Sequence, residues 1–175
     1  MKNKVLLLGD PLLRKKSLDI KFPLSDRIRQ QNEKLMTTLG EFQREKGFGR
    51  AIAAPQIGIN RKIIALNLSG ETFSIFNPEI IRHSEETFLL WDDCMSFPDL
   101  LVKVQRYTSV CIKYRDIYGN EQTWENMDRS QSELLQHEID HLHGIMAIDR
   151  AVDKDSIIYK SVFHKNKAQF LKNME

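Results

Sequence analysis

Cysteine is scarce in this chain of 175 residues, which contains only Cys94 and Cys111. Two cysteines cannot build the multiple-disulfide framework of small secreted proteins, and a single bridge is not expected in a reducing compartment. Each cysteine is therefore interpreted from its own surroundings. Cys111 lies within the alternating run Val-Cys-Ile-Lys-Tyr, which predicts a thiol buried in the core.

Long apolar runs are also absent. Residues 1–8 contain Val-Leu-Leu-Leu after two lysines, but Asp10 and Pro11 end this run far short of the apolar region of a signal peptide. No stretch approaches the roughly 20 apolar residues that a membrane-spanning helix requires. We therefore expect a cytoplasmic protein that has no membrane partner.

Neither sign of charge dominates the chain. The net charge is +2, and the 29% of residues that are charged are of both signs and dispersed, which gives no indication of a specific nucleic-acid partner. The sequence contains no repeat, low-complexity stretch or linker. A chain of this size buries about 70% of its unfolded-state surface on folding. We therefore predict a single domain that spans residues 1–175.

Hydrophobic periodicity predicts three helices. The first has about 18 residues, starts near Ser25 and Asp26 and ends at Lys46 and Gly47, because apolar residues recur there at spacings of three, four and seven. The second follows Ser130 or Ser132, either of which can cap it. The third is lysine-rich and amphipathic and covers residues 153–172.

Short β-like runs occupy the segment between the first two helices. They lie at residues 62–68, 72–76, 79–82, 87–91, 101–105, 109–115 and 121–125, with a turn at Gly119 and Asn120. Because the strands cluster instead of alternating with helices, the pattern favours an α+β fold. We predict antiparallel or mixed β-sheets packed around the central second helix, with an N-terminal helix and a C-terminal helix.

The most informative segment is Gln-His-Glu-Ile-Asp-His-Leu-His-Gly at residues 136–144. His137 and His141 are four residues apart, so on a helix both imidazoles lie on one face and can bind one divalent metal. Glu138 is then placed to move protons for a water on that metal. The pattern predicts metal-assisted hydrolysis, and the alternative is a helix that carries two histidines by chance.

Two imidazoles leave a catalytic metal short of its usual third protein ligand. An extended form of the motif would place another histidine three residues after Gly144, but that position is Ala147. His143 points away from the metal-binding face, so we expect it at the surface or in a local hydrogen bond. The spacing alone leaves the third ligand open.

Three ordered motifs resemble those of the peptide deformylases, which remove the formyl group from the N-terminal methionine of nascent chains. They are Gly-Arg-Ala-Ile-Ala-Ala-Pro-Gln at residues 49–56, Asp-Asp-Cys-Met-Ser at residues 92–96, and the histidine motif at residues 136–144. Further matches at residues 10–14, 57–58 and 104–106 extend the resemblance, which covers essentially residues 4–165.

The resemblance implies that Cys94 is the third ligand of a Cys-His-His site with an open fourth position; the alternative is a buried structural thiol. A thiolate and two imidazoles suit Zn²⁺ or Fe²⁺. The family favours Fe²⁺ in bacteria, and Zn²⁺ or Ni²⁺ often replaces it in purified protein. Glu138 is implied as the general base, and the Gln56 amide and the Met95 backbone N–H as donors to the formyl oxygen. Gln136 is expected to be structural.

Several residues depart from the family pattern. Ala51 replaces the second glycine of the first motif, and Asp92, Asp93 and Met95 replace Glu, Gly and Leu in the second. Met95 preserves the backbone donor, and Asp92 keeps a carboxylate that we expect to pair with Arg106. Asp93 is the more serious change, because it adds bulk and charge beside the ligand where a glycine would leave room.

Two of the departures affect the expected substrate pocket. Glu133 lies four residues before His137 and shares its face, and Arg50 is expected on the opposite wall, where the resemblance implies apolar residues. If both charges face inward without partners, the pocket should narrow or prefer a polar side chain, and activity on formyl-methionyl peptides should be weak. Alternatively, the two side chains extend to solvent or pair with each other as a harmless rim. The residues expected to contact substrate are Gly49, Arg50, Ala51, Asp93, Glu133 and Leu134.

Three functions remain open on the sequence alone. The first is a metal-dependent deformylase that acts on formyl-methionyl peptides. The second is a deformylase-like hydrolase that acts on another N-formyl or N-acyl substrate, and the third is a low-activity metal-binding paralogue. Retention of Glu138 argues against the third, because a protein that only binds metal needs no general base. The expected partners are a formylated peptide N-terminus and, transiently, the ribosome.

Overall fold

The structure is a computed structural model that describes residues 4–172 and residue 174. The helices are α1 (Asp26–Lys46), α2 (Arg129–Leu142), α3 (Lys160–Lys165) and α4 (Lys167–Lys172). The strands are β1 (Ala51–Ala53), β2 (Ile63–Leu68), β3 (Glu71–His83), β4 (Thr87–Asp92), β5 (Leu100–Tyr107), β6 (Val110–Arg115), β7 (Glu121–Trp124) and β8 (Ile157–Tyr159). Short 3₁₀ turns cover Pro11–Arg14, Ala54–Ile57 and Ala147–Arg150. Residues 1–3 of the N-terminal run and of the predicted 1–175 domain, like residues 173 and 175, lie outside the described residues.

The strands form two antiparallel sheets. The larger sheet has the order β1-β2-β3-β6-β7, and the smaller has the order β4-β5-β8. Helix α2 lies between them, because it contacts β1, β2 and β3 of the larger sheet and β5 of the smaller. The predicted α+β class and the central position of the histidine-bearing helix are therefore confirmed.

Helix α1 confirms the N-terminal helix predicted from periodicity. The Ser25 hydroxyl accepts a hydrogen bond from the Ile28 N–H at 3.4 Å and caps the helix, and Gly47 ends it. Leu35 and Leu39 are fully buried against the larger sheet, within the cluster that also contains Ile63. The apolar spacing thus predicted both the helix and its buried face.

The cap predicted for α2 is wrong. Asp128, not Ser130 or Ser132, caps the helix: its Oδ1 accepts from the Gln131 N–H at 2.7 Å. The Gln131 side-chain oxygen accepts in return from the Asp128 N–H at 3.4 Å, which completes a capping box. Ser132 is buried one turn later, where its hydroxyl accepts from the Val110 N–H at 3.3 Å. The helix is therefore fixed to β6 near its N-terminus.

The two strands predicted at residues 72–76 and 79–82 are one continuous strand, β3. Its pairing with β6 shifts register between Phe76 and Glu79, where Asn77 has a φ of 50°. Pro78, which has no N–H to donate, lies between the two predicted strands. The strand accommodates the proline at a bulge and continues to His83.

The predicted C-terminal helical segment is confirmed over residues 160–172, but its predicted start at residue 153 and its continuity are wrong. Residues 157–159 form β8, which pairs with residues 100–102 of β5, and only then do α3 and α4 follow. The pairing gives the backbone of Ile157 and Ile158 its hydrogen bonds in the smaller sheet, and both residues have branched side chains suited to a strand. The helical part packs on Trp91 through Phe163 and Phe170, with ring centroids 5.7 and 5.4 Å away.

Of the helices within residues 4–172, none is long and apolar enough to cross a lipid bilayer.

Gly144 fixes the exit from α2. Its φ is +73°, and a Cβ at this position would overlap the backbone carbonyl of Arg14. We expect Gly144→Ala to lower the free energy of unfolding by about 2–4 kcal/mol, from left-handed strain and the overlap together. Gly70→Ala is the matched control, because Gly70 has a φ of +86° but no atom within 4 Å of the position that a Cβ would take. Urea unfolding measures both, and equal losses would contradict the role assigned to the Arg14 contact.

Candidate metal centre and substrate pocket

Three buried side chains converge at one end of the cleft between the sheets. Cys94 lies in the loop after β4, and His137 and His141 project from α2. Their potential ligand atoms all lie within 4.8 Å of one another. The Cys94 Sγ is 3.3 Å from the His141 Nε2, which is 3.1 Å from the His137 Nε2. The fold thus brings together all three residues expected to bind the metal.

The donor set fits a divalent ion. The His137 Nδ1 lies 2.8 Å from the Asp92 Oδ2, so a proton on Nδ1 leaves the lone pair of Nε2 directed at the cluster. A soft thiolate and two imidazoles are ligands that Zn²⁺ and Fe²⁺ accept. Without a cation, the two acceptor nitrogens and the sulfur have few hydrogen-bond donors within this cluster. The cluster is therefore suited to a cation.

A buried chain of charges supports His137. Arg106 donates to the Asp92 Oδ2 at 3.1 Å and to the Asp140 Oδ2 at 2.5 Å, and Arg150 donates to both oxygens of Asp140. The predicted pair of Asp92 and Arg106 is confirmed. Burial raises the pKa of Asp92, but its hydrogen bond with His137 and the positive charge of Arg106 outweigh burial and hold the pKa below its ordinary value. Asp92 is therefore an anion that orients the imidazole.

Glu138 is buried beside the ligands with one oxygen free. Within the described part of the chain, its Oε2 has no hydrogen-bond partner. Burial raises the pKa of Glu138 to about 7, because desolvation disfavours the carboxylate. A buried carboxyl of this kind exchanges a proton more readily near neutral pH than an exposed one does.

Gln56 and Met95 lie on the side of the cluster formed by Cys94. The Gln56 amide is held by the Ala53 N–H, which donates to its Oε1 at 2.9 Å. Its Nε2 therefore faces the Cys94 Sγ at 3.5 Å and the Ser96 hydroxyl at 3.3 Å. Among residues 4–172 and 174, no backbone carbonyl accepts a hydrogen bond from the Met95 N–H. Both expected oxyanion donors thus lie next to the expected metal ligands.

A pocket of about 390 Å³ opens beside these groups. All six residues expected to contact substrate are among its lining residues, which include Gly49, Arg50, Ala51, Asp93, Glu133 and Leu134. Gln56, Cys94, His137 and Glu138 line it as well. The pocket is therefore continuous with the metal cluster and with the expected base.

The two charged wall residues are paired. An Arg50 Nη2 donates to the Glu133 Oε1, and the side chains are 43% and 14% exposed, respectively. An unpaired inward charge, one of the two alternatives, is therefore excluded. The structure shows the pairing that the other alternative included, with Arg50 partly exposed and Glu133 mostly buried. Burial raises the pKa of Glu133, and Arg50 opposes that shift. The pocket wall therefore carries an ion pair and not two isolated charges.

Asp93 is accommodated by a cation from the C-terminal segment. The Lys160 Nζ donates to the Asp93 Oδ2 at 2.8 Å and lies 4.2 Å from the centroid of the Phe48 ring. Asp93 and Phe48 line the pocket from two different segments, so Lys160 connects them at its edge. The carboxylate of Asp93 is therefore paired with Lys160.

Three further residues lie outside the cluster, as expected. The His143 Nδ1 is 2.9 Å from the Ile139 carbonyl, which confirms a local hydrogen bond. Gln136 bonds both the N–H and the carbonyl of Tyr107, at 2.9 Å each, and so joins α2 to β5. Cys111 is a buried free thiol, as the alternating strand pattern predicted.

Sequence reasoning missed part of the site. Phe48, Leu90 and Trp91 line the pocket but carried no signal beyond their place next to two of the motifs. Asp140 was also missed, although a charged residue on an otherwise buried helix indicates an internal ion pair. Its partner Arg150 lies in the 3₁₀ turn after the helix, and nothing in the local sequence marked it.

Comparison with known proteins identifies one family. A model of the family described as polypeptide deformylase matches residues 2–156. The peptide deformylase of Thermotoga neapolitana is 31% identical over 148 residues, which cover 84% of this chain and 85% of that protein. The peptide deformylase of Pseudothermotoga lettingae is 36% identical over 149 residues, covering 85% and 82%.

Solved structures agree with the sequence comparison. The crystal structure of the peptide deformylase from Thermotoga maritima superposes with a TM-score of 0.77 at 27% identity, over 87% of this chain and 99% of that one. The peptide deformylase from Synechococcus elongatus, solved in complex with actinonin, gives a TM-score of 0.78 at 28% identity, over 86% and 79%. The two-sheet architecture is thus shared with these proteins.

Proposed function

The chain belongs to the polypeptide deformylase family of metal-dependent amide hydrolases, and we propose that Cys94, His137 and His141 bind its catalytic metal. Its reaction is removal of the N-formyl group from nascent polypeptides. The observation that carries the assignment of residues is the convergence of three buried ligand atoms within 4.8 Å beside a buried carboxyl group.

The residues of this chain divide the chemistry among them. Cys94, His137 and His141 would hold a divalent ion, which would serve as the Lewis acid for activation of a water and polarisation of the formyl carbonyl. Glu138 takes the proton of the attacking water at its unpartnered Oε2 and delivers it to the nitrogen of the leaving amine. The Glu138 pKa of about 7 suits a group that must both accept and donate this proton.

Gln56 and Met95 stabilise the charge that develops on the formyl oxygen. The Gln56 Nε2 and the Met95 N–H donate to that oxygen, and removal of one such donor typically costs about 10²- to 10³-fold in rate. The Ala53 N–H fixes the orientation of the Gln56 amide at 2.9 Å, so this donor is positioned before substrate binds. Asp92 and Arg106 act through His137 and keep its Nε2 available to the ion.

The experiment that tests this proposal is formate release from formyl-Met-Ala-Ser. The protein is purified anaerobically, stripped with a chelator, and reloaded separately with Fe²⁺, Zn²⁺ or Ni²⁺. We expect one ion per chain and release that depends on the ion, with Fe²⁺ giving the highest rate. Full occupancy without release by any of the three would favour the low-activity metal-binding paralogue instead.

Other attributes of the protein extend this proposal. We infer that Fe²⁺ is the ion used in the cell, that the protein acts in the cytoplasm, and that it meets its substrate during transient contact with the ribosome. We also infer that residues 1–175 act as a single domain. The argument for ribosome contact is that formylated N-termini first emerge there.

A further inference from the structure

The pocket wall combines an apolar surface with a charged one. Leu134, Leu90 and Trp91 contribute the apolar part, and the Arg50–Glu133 pair contributes the charged part. All of these residues line the cavity of about 390 Å³ that also contains Cys94 and Glu138. A side chain that enters this cavity from a formyl group at the metal cluster must therefore meet both kinds of surface.

Arg50 retains hydrogen-bonding capacity. Its Nη1 donates to the Ser130 carbonyl at 3.1 Å and to the Ser130 hydroxyl at 2.7 Å, and its Nη2 donates to Glu133. These bonds use three of the five N–H groups of a guanidinium. For the Nε–H and the second Nη2 hydrogen, the described residues provide no acceptor, and the side chain is 43% exposed. An acceptor on a bound molecule can occupy these positions.

The charge balance selects the kind of acceptor. Glu133 already compensates the positive charge of Arg50, and it is only 14% exposed, so solvent screens its carboxylate weakly. An acidic side chain placed against Arg50 would lie beside this buried carboxylate and be repelled. A neutral acceptor avoids the repulsion. A thioether is only a weak acceptor. If it displaced water from the Arg50 guanidinium, it would replace the hydrogen bonds of that water with weaker ones.

We propose that this pocket selects N-formyl peptides whose first side chain has an aliphatic stem ending in a neutral hydrogen-bond acceptor, with Arg50 and Glu133 as the specificity-determining residues. Glutamine and methionine sulfoxide have this chemistry, and both are close in length to methionine. The stem packs on Leu134 and Trp91 while the terminal oxygen accepts from Arg50. The inference rests on the proposed deformylase function, because it places the formyl group at the same metal cluster.

Competition between peptides provides the test. Formyl-X-Ala-Ser peptides, with X as methionine, methionine sulfoxide, glutamine or glutamate, are mixed pairwise with the Fe²⁺-loaded protein. Mass spectrometry of the deformylated products gives ratios of kcat/KM that are independent of metal occupancy. We expect glutamine and methionine sulfoxide to exceed methionine by about fivefold, the effect of one hydrogen bond in the pocket, and glutamate to be the poorest of the four.

Two variants and a control assign the preference to the ion pair. Arg50→Ile combined with Glu133→Ile should invert the ratio in favour of methionine. Glu133→Gln, which keeps the shape but removes the negative charge, should raise glutamate relative to glutamine by about tenfold. The matched control replaces the exposed pair Arg82 and Glu125, 2.7 Å apart on the larger sheet, with isoleucines, and it should leave every ratio unchanged.

The outcomes separate this inference from the proposed function. A glutamine-to-methionine ratio of one or less in the unmodified protein, or a ratio that the double variant leaves unchanged, overturns the inference alone. If the double variant does not fold, the isosteric Glu133→Gln variant decides, and an unchanged glutamate-to-glutamine ratio overturns it. Absence of formate release from all four peptides overturns the proposed function and the inference together.

Discussion

Replacing Glu138 with glutamine is expected to lower formate release by about 10²- to 10⁴-fold while metal content stays at the level of the unmodified protein. The amide has the shape of the carboxyl group but cannot accept the proton of the attacking water. Folding should be preserved, because the Glu138 Oε2 has no partner to lose within the described residues and a neutral amide is easier to bury than a carboxylate.

The comparison needs a second glutamate and two readouts. Glu85 is exposed in the turn between β3 and β4, and Glu85→Gln should leave turnover unchanged. Metal content and kcat/KM are measured on the same preparations, so a loss of ion can be told apart from a loss of base. Turnover of Glu138→Gln at the unmodified rate, with metal bound, would show that another group moves the proton.

Replacing Arg106 with methionine is expected to lower the free energy of unfolding by about 3–5 kcal/mol. The Arg106 side chain is 3% exposed and neutralises Asp92 and Asp140, whose side chains are 6% and 10% exposed. Removing it leaves Asp92 without an arginine partner and leaves Asp140 with Arg150 alone. Because Asp92 orients His137, metal affinity should also fall by about 10- to 100-fold.

Urea unfolding of the metal-free protein and metal titration measure the two effects separately. Arg82→Met is the matched control: Arg82 is 68% exposed in its pair with Glu125, so its loss should cost well under about 1 kcal/mol. Adding Asp92→Asn to Arg106→Met should restore part of the stability, since it removes the buried carboxylate that has lost its only arginine partner. If Arg106→Met lowered the free energy of unfolding no more than the control does, the buried chain of charges would not stabilise the fold.

The sequence predicted features that depend on local pattern. Helix α1 followed from its apolar spacing, and Gly47 marked its end. The pairing of His137 with His141 followed from helical geometry, since four residues bring side chains to one face. Geometry did not identify Cys94 as a ligand, because spacing gives no information about a loop residue 43 positions before His137. The resemblance to the family motif identified it.

The features that sequence could not predict depend on contacts between distant segments. Residues 157–159 belong to a strand because β5 offers a free edge, which no local periodicity reveals. Arg50 and Glu133 are 83 positions apart, so whether their charges were paired or isolated required the fold. The Lys160 bridge to Asp93 spans 67 positions and is equally invisible in either segment alone.

X-ray absorption spectroscopy of the Zn²⁺-loaded protein tests the central claim most directly, because it counts the sulfur ligands of the ion. A site built from Cys94, His137 and His141 predicts one sulfur at about 2.3 Å and two imidazole nitrogens at about 2.0–2.1 Å, with the sulfur shell lost in Cys94→Ser. A shell of nitrogen and oxygen alone in the unmodified protein, at full occupancy, would contradict the assignment of Cys94 and with it the proposed metal centre.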